Sequence, residues 1–180
     1  DDAFSEELFS DFIEVIDPVK RYFYESDYKD FEKYKLTIDD QLKVSDITFF
    51  NVVYERFISR IEESKSIYKD ILSKPFDYSI DESFDTNYEN SDFAKSKRDM
   101  KERWRKQLTY AALERYADYL DQREKNKGKK DYVAKPDSTL ERMAREQVLK
   151  ATNKRFDRIQ KTFNEDQRFN AFINAITGLM

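Results

Sequence analysis

Two short strings in this sequence have the spacing of a Ser-Lys dyad, in which a lysine amine activates a serine hydroxyl as a nucleophile. They are "SDYK" at 26–29 and "SIYK" at 66–69. A chain rich in Ser and Lys gives such strings by chance, and the Ser-Asp-Asn and Lys-Thr-Gly motifs that accompany S-x-x-K in β-lactamases are missing. We therefore interpret Ser26 as a helix cap and Ser66 as a residue on a helix face.

The acidic string "DYSIDESFD" places Asp77, Ser79 and Asp81 at alternating positions, as in the calcium loop of an EF-hand. An EF-hand needs Gly where Glu82 stands and Glu at the twelfth position, which is Tyr88. We therefore interpret the string as a solvated acidic loop and predict no metal site.

The chain contains no His and no Cys, which excludes disulfides, zinc sites built on these residues, Cys-His nucleophiles and Ser-His-Asp triads. The neighbouring carboxylates Asp39-Asp40 and Glu62-Glu63 point about 100° apart on helices, so neither pair suits acid–base catalysis. We predict no catalytic, cofactor-binding or metal-binding residue in this chain.

The elements that hold these residues are predicted to be helices, since 180 residues contain 2 Gly and 3 Pro. Apolar residues at helical spacing predict long helices at about 45–74, 97–126 and 138–163, a first helix at 5–16 and a last one from Asn164 to near Gly178. Short helices follow Ser26 or Asp27 and Thr37. We expect an all-α, elongated domain with two or three long helices and several short ones, joined by an ordered acidic loop at about 75–95.

Several helix ends and faces can be assigned from residue types. Ser5 is the predicted cap of the first helix, and Gly128 the predicted C-terminal cap of helix 97–126. Trp104 and Tyr116 share a face of that helix, a spacing more typical of core packing than of a ligand groove. The predicted apolar face of helix 138–163 contains Leu140, Ala144, Val148, Ala151, Ile159 and Phe163.

Charge divides the chain into two halves that are candidate sub-units. The net charge is −12 over the aromatic-rich residues 1–95 and +8 over residues 96–180. Acidic and basic helices that pack against each other explain this pattern, and a nucleic-acid surface in the basic half is an alternative. Because 19 of the 28 aromatic residues lie in the acidic half, the pattern disfavours nucleic acid. No apolar run is long enough to span a membrane.

The string "IDPVKRYFYESDYKDFEKY" at 16–34 is predicted to be a packed corner between helices, which we call the aromatic corner. Asp17-Pro18 ends the first helix, because Pro disfavours helical geometry at the preceding residue. Tyr22 and Phe23 are expected to turn inward under the chain reversal, and Phe31 and Tyr34 lie three apart on one face of the next helix. The candidate partner contacts are the two remaining tyrosines, Tyr24 and Tyr28.

The same corner, followed by "IDDQL", "YERFISRIEE", "FDYSIDE", "RWRKQL" and "FNAFINAITGLM", resembles the opening domain of the tail-specific proteases, also called carboxy-terminal processing peptidases. The resemblance runs from about Phe4 to Met180, and only "KNKGKKDYVAKPD" has no close counterpart. The residues that carry the family-like motifs, in a structural role, are Asp17, Pro18, Tyr22, Phe23, Asp27, Phe31 and Trp104.

The resemblance implies a single, non-catalytic helical domain of a periplasmic or cell-envelope serine peptidase. Its implied partners are the PDZ and Ser-Lys protease domains of the same polypeptide, together with protein substrates or an adaptor. The chain opens on Asp1-Asp2 without Met or a signal peptide, and the Asp-Pro-His-Thr stretch that follows in the family is absent, so we expect a piece of a longer protein. The alternative is a free-standing all-α interaction module with no protease attached.

Overall fold

The structure, a computed structural model, describes residues 1–86, 91–163 and 165–178. This part of the chain is all-α, with 70% of the residues helical and no strand, so the predicted fold class is confirmed. Its helices are α1 (Asp2–Ile16), α2 (Glu25–Glu32), α3 (Ile38–Lys43), α4 (Thr48–Leu72), α5 (Lys97–Asn126), α6 (Asp137–Thr162) and α7 (Glu165–Gly178).

Helix α1 begins before Ser5, because Asp1 provides its cap. The Asp1 Oδ1 atom accepts a hydrogen bond from the Ala3 N–H at 3.1 Å. The predicted Ser5 cap is therefore wrong. Ser5 is buried inside α1, where its hydroxyl donates to Asp39 Oδ1 at 2.7 Å and accepts from the Asp39 N–H at 3.0 Å. Ser5 thus ties α1 to α3.

Two other helix starts depend on an aspartate. Tyr24 is the cap residue of α2, and the Asp27 carboxylate reaches back to accept from the Tyr24 N–H at 2.9 Å. The helix therefore starts ahead of the predicted caps, Ser26 or Asp27. Just before α4, Asp46 Oδ1 accepts from the Thr48 N–H at 2.9 Å and so satisfies the first free N–H group of the helix.

Helices α5 and α6 follow the predicted bounds closely. Gly128 lies just past α5 with a φ of +82°, a conformation that favours glycine and agrees with its predicted capping role. In α6 the predicted apolar position Ala151 is exposed. The buried stripe instead continues at intervals of four residues, through Leu140, Ala144, Val148, Thr152 and Phe156.

The chain forms two compact units that interleave along the sequence. Unit 1 comprises residues 1–64, 86–100 and 158–180, and unit 2 comprises 65–85 and 101–157. Unit 1 holds 22 Asp and Glu against 14 Lys and Arg, a net charge of −8, whereas unit 2 holds 15 against 19, a net charge of +4. This division by contacts differs from the two charge-based halves, which stay a prediction.

Unit 1 has a core built largely from aromatic rings. The Phe12 ring lies 5.2 Å from Phe50, 5.8 Å from Phe49 and 5.8 Å from Phe172, measured between centroids. Two of these contacts are edge-to-face, an arrangement that adds about 0.5–1.5 kcal/mol per pair beyond simple burial. Large rings therefore supply the buried apolar area in a chain of which 39% of the residues are charged.

Unit 2 has a smaller core around Trp104. Its ring lies 6.2 Å from Tyr68 and 6.0 Å from Phe156, and these two rings lie 4.9 Å apart. The Tyr68 hydroxyl donates to Asn153 Oδ1 at 2.7 Å, which satisfies its polar end. With 1% of its surface exposed, Trp104 is a core residue and does not line a groove.

The predicted loop at 75–95 contains no helix in its described part, residues 75–86 and 91–95. In unit 2 it docks through side chains, with the Tyr78 ring stacked on Tyr116 at 5.6 Å and 19°. The Phe84 ring similarly packs on Tyr110 at 5.6 Å. Ring contacts thus help to hold a segment that has no helix of its own in its described part.

Candidate interaction site at the aromatic corner

Asp17 organises the first turn of the aromatic corner. It follows the last residue of α1, and Pro18 prevents the helix from continuing. Its carboxylate accepts three backbone N–H bonds, from Arg21 at 2.8 Å and from Tyr22 and Phe23 at 2.9 Å each. The N–H groups of this turn would otherwise lack a hydrogen-bond acceptor, and the one buried Asp17 carboxylate accepts all three of these bonds.

The reversal points the predicted inward rings into unit 1. Phe23 and Phe31 are fully buried and meet edge-to-face at 5.3 Å. Tyr22 meets Phe57 of α4 at 5.6 Å, and Phe57 in turn lies 5.0 Å from Phe163. The corner is thus part of the packed core of unit 1.

Asp27, at the start of α2, is held by two arginines of α4. Arg60 forms a fork on its carboxylate, with Nε 2.8 Å from Oδ2 and Nη2 2.8 Å from Oδ1. Arg56 Nη1 also donates to Oδ1 and bridges to Asp30 Oδ2 at 3.2 Å. The Asp27 side chain has no solvent exposure, so these bonds replace all of its hydration.

The two buried carboxylates of the corner have pKa values that are shifted in opposite directions. Burial raises the pKa of Asp27, but hydrogen bonds from Arg60, from the Tyr24 N–H and from Arg56 outweigh it, so the pKa lies below the usual 3.8. At Asp17 burial raises the pKa above 3.8, and the three backbone N–H groups oppose this shift without reversing it. Asp27 is therefore the carboxylate whose charge stabilises the fold.

Tyr24 is enclosed by the same charge network. The Arg60 guanidinium carbon lies 4.4 Å from the centroid of its ring, a cation–π distance. Burial, followed by the negative charge of Glu63, raises the pKa of Tyr24 to about 12. Glu63 is itself paired with Arg60 at 2.9 Å and with Lys97 at 3.2 Å. With 6% of its surface exposed, Tyr24 has little area left for the partner contact expected from the sequence.

Tyr28 is more open than Tyr24 and forms part of a surface patch. Its ring stacks on Phe93 at 5.2 Å and meets the edge of the buried Phe9 ring at 5.5 Å. The Lys20 ammonium lies 5.4 Å from the centroid of Phe93. Tyr28, Phe93 and Lys20 are each partly exposed, and we call them together the Tyr28–Phe93 patch.

The backbone fixes the position of this patch. Tyr24 and Ala94 form an isolated parallel bridge, and the Glu25 N–H donates to the Ala94 carbonyl at 2.9 Å. Phe93 is therefore held beside α2 by main-chain bonds as well as by stacking. Two aromatic rings and a cation on a fixed backbone can bind an apolar or aromatic side chain of another protein.

The other candidate groups lie on the exposed surface. Ser26 is exposed, and Lys29 Nζ pairs with Glu25 Oε1 at 2.9 Å. Ser66 and Lys69 are exposed on α4. No described contact joins either serine to the lysine three residues later.

The acidic loop uses its oxygens within the chain. Asp77 Oδ1 accepts from both the N–H and the hydroxyl of Ser79, at 2.9 and 2.6 Å. Glu82 forms a fork with Arg105, at 2.8 and 2.5 Å. Within residues 1–86, 91–163 and 165–178, no group of three or more acidic side chains is arranged to hold a metal ion.

Sequence reasoning missed the arginines that hold the buried carboxylates. Arg56 and Arg60 lie four residues apart in "YERFISR", so both project from one face of α4. Arg145 has the same role in unit 2, where its Nε donates to both oxygens of Glu141 and its Nη1 donates to the Leu72 carbonyl. The sequence does show two arginines four residues apart among apolar positions, a spacing that indicates a shared acidic partner. It does not identify which acidic residue that partner is.

The contacts of the aromatic corner are those of a helical scaffold domain. The aromatic and charged residues of the corner hold an all-α scaffold together, and a small aromatic patch remains at its surface. The whole chain, residues 1–180, matches the family described as the tail specific protease N-terminal domain, and it belongs to that family. The resemblance inferred from the motifs is thereby confirmed.

The N-terminal domain of tail-specific proteases is non-catalytic. Among curated proteins, no sequence matches this chain. In the described part of the chain, no helix combines the length and the apolar character needed to cross a bilayer.

Proposed function

We propose that this domain is the non-catalytic helical scaffold of a bacterial tail-specific protease, which braces the protease body and offers a surface to substrates or to an adaptor protein. The observation that carries the proposal is the family match over residues 1–180. The family-like residues of the corner support it, since Asp17, Phe23 and Asp27 are buried and serve the packing of unit 1.

The catalytic parts of the proposed protease lie outside this chain. In this proposal a PDZ domain recognises the C-terminal tail of a substrate, and a serine activated by a lysine cleaves it through an acyl-enzyme. The proposed location is the bacterial periplasm. Family membership supports these assignments, and the absence of Cys is compatible with an oxidising compartment.

The proposed contact surface for a substrate or adaptor is the Tyr28–Phe93 patch. Tyr28 and Phe93 are stacked and partly exposed, and Lys20 adds a positive charge at the edge of the pair. Exposed aromatic residues beside a cation are typical anchors of protein interfaces, because they bury a large area at a small cost in side-chain entropy. Tyr24 is buried next to this surface, and its ring packs on the Arg60 guanidinium at 4.4 Å.

A first experiment tests the absence of catalysis. The 180-residue chain is incubated with an unfolded protein that carries an apolar C-terminal tail, and we expect no cleavage. Cleavage that disappears in Ser26→Ala or Ser66→Ala would overturn the proposal.

The coding sequence after Met180 distinguishes a domain of a protease from a free-standing interaction module. PDZ and Ser-Lys motifs support the protease, and a stop codon supports a free-standing module.

A second experiment tests the patch in the protease that contains the domain. We expect Tyr28→Ala to lower kcat/KM for a protein substrate or an adaptor-delivered substrate, and to leave the hydrolysis of a short peptide unchanged. Val15→Ala is the matched control, since Val15 is an exposed apolar residue of α1 in the same unit. Equal losses for the protein and the short peptide would contradict a role in recognition.

A further inference from the structure

The connection between α5 and α6 presents an exposed, basic tip. Every residue from 127 to 136 is exposed. Tyr132 and Val133 lie within it, and 84% of the Val133 surface is open to solvent, the largest value among the exposed large hydrophobic residues of the described chain. An aliphatic side chain that is this open has no packing role within its own fold.

The base of this connection is fixed. Arg123 Nη1 donates to the Lys135 carbonyl at 3.0 Å and pairs with Asp137 Oδ1 at 2.6 Å, so it joins the last turns of α5 to the start of α6. The Tyr132 N–H donates to the Lys129 carbonyl at 3.2 Å. The two ends of the connection are therefore anchored to the helices that it joins.

The charge of the tip is strongly positive. Residues 125–135, which we call the basic tip, hold five Lys and one Asp. Lys125 and Lys127 are paired with Asp121 and Glu124 on α5, at 2.5 and 3.7 Å. The other three Lys make no ion pair with a carboxylate of the described chain, and they are Lys129, Lys130 and Lys135.

We propose that the basic tip docks on an anionic lipid surface, with Lys129 and Lys130 at the headgroup phosphates and Tyr132 and Val133 in the interfacial layer. Several lysines near a negatively charged leaflet attract it through the surface potential, and tyrosine is suited to the boundary because its ring is apolar and its hydroxyl is polar.

The exposed valine favours a lipid surface over a nucleic acid. Lysines and a stacking tyrosine suit both partners, but binding of single-stranded nucleic acid depends mainly on phosphate charge and aromatic stacking, to which an exposed aliphatic side chain adds little. In the interfacial layer of a bilayer, the same side chain leaves water and its burial is favourable. The neighbouring position of Val133 and Tyr132 thus distinguishes the two partners.

The proposal is tested by flotation of the protein with vesicles of phosphatidylcholine alone or with about a third phosphatidylglycerol, at about 50 mM salt. We expect binding to the anionic vesicles only. The variant Lys129→Glu with Lys130→Glu is expected to lower the partition coefficient about tenfold or more. The variant Tyr132→Ser with Val133→Ser should weaken binding while the charge is unchanged.

A matched control carries the same change of charge elsewhere in unit 2. Lys150→Glu with Lys154→Glu alters two exposed lysines of α6, and we expect nearly unchanged binding. The proposal is overturned by an absence of binding to anionic vesicles, by equal losses in the control and the tip variant, or by full binding after removal of Tyr132 and Val133. Tighter binding of single-stranded DNA than of vesicles, lost in the tip variant, would also overturn it.

Discussion

Arg60 of α4 forms a two-pronged pair with Asp27 of α2, in which Nε and Nη2 each lie 2.8 Å from a different carboxylate oxygen. Asp27 is fully buried, and 22% of the Arg60 side chain is exposed. Planar forks of this kind are the strong form of a charge-assisted hydrogen bond. Asp27 also accepts the Tyr24 N–H, so one carboxylate joins the start of α2 to α4. The fold of unit 1 therefore depends on a contact between residues 33 positions apart.

Removal of Arg60 is expected to destabilise unit 1. Arg60→Met keeps much of the volume but leaves the Asp27 carboxylate with only Arg56 as a cationic partner. Breaking a buried pair costs about 3–5 kcal/mol, and we expect the lower end because Arg56 remains. Urea unfolding followed by far-UV circular dichroism measures the change. Lys29→Met, which removes an exposed pair with Glu25, is the control and should leave the midpoint unchanged.

The lowered pKa of Asp27 predicts how the stability depends on pH. Because its pKa in the folded state lies below the unfolded value of 3.8, the stabilisation from its charge is complete above pH 3.8 and is lost as the pH falls through the folded pKa. Asp27→Asn removes this contribution. The difference in urea midpoint between the wild type and Asp27→Asn should thus be large at pH 6 and shrink below about pH 4.

Asp17 provides the opposite case for the same experiment. Its pKa is raised in the folded state, so its charge costs stability above its folded pKa, and the cost disappears as the pH falls. The difference in urea midpoint between the wild type and Asp17→Asn should therefore not shrink at low pH as it does for Asp27→Asn. If the urea midpoints of the wild type and Asp27→Asn differ by the same amount from pH 6 to pH 3, the arginine fork does not set the charge of Asp27.

Phe23 is expected to be a major contributor to the stability of the corner. It is fully buried, and its ring lies 5.3 Å from Phe31 and 6.1 Å from Phe57. Phe23→Ala should lower the free energy of unfolding by about 3–5 kcal/mol, since it leaves a cavity between these rings. Thermal unfolding measures the effect, with the exposed Val15→Ala as the control. A loss no larger than that of Val15→Ala would refute the packing of this ring.

The parts of this fold that follow from local chemistry could be predicted from the sequence. Helix α5 has the predicted bounds because its apolar spacing is uninterrupted by Pro or Gly and Gly128 follows it. The turn at Asp17-Pro18 is likewise a local consequence of proline geometry. Residue types and spacing favoured a packed corner over a binding surface at residues 16–34, and the family-like motifs lie in the same stretch.

The contacts that were missed join residues far apart in the chain. Ser5 is a reasonable helix cap by its type, but Asp39, 34 residues later, takes its hydrogen bonds. Arg60 similarly finds Asp27 only after α2 and α4 have packed. In α6 the error was smaller, because Ala151 and Thr152 are neighbours and the interval of four residues, not residue type, decides which is buried.

Unit 2 contains a second buried ion pair, formed by Arg145 and Glu141, that gives an independent prediction. Arg145 Nε lies 2.8 and 3.0 Å from the two Glu141 oxygens, and its Nη1 donates to the carbonyl of Leu72, the last residue of α4. Glu141 also accepts from the Phe76 N–H at 3.1 Å. Arg145→Met leaves a nearly buried carboxylate and an uncapped helix end, so we expect a loss of about 3 kcal/mol.

Trp104 reports this change directly, because it is the single Trp of the chain and lies in the core of unit 2. We expect Arg145→Met to lower the urea midpoint of Trp fluorescence, and Arg142→Met, which breaks the exposed pair with Glu146, to leave it unchanged. Adding Glu141→Leu to Arg145→Met should restore part of the loss, since no buried charge is then left unpaired. If the double variant loses as much stability as the sum of the losses in its two single variants, the ion pair does not couple Arg145 and Glu141.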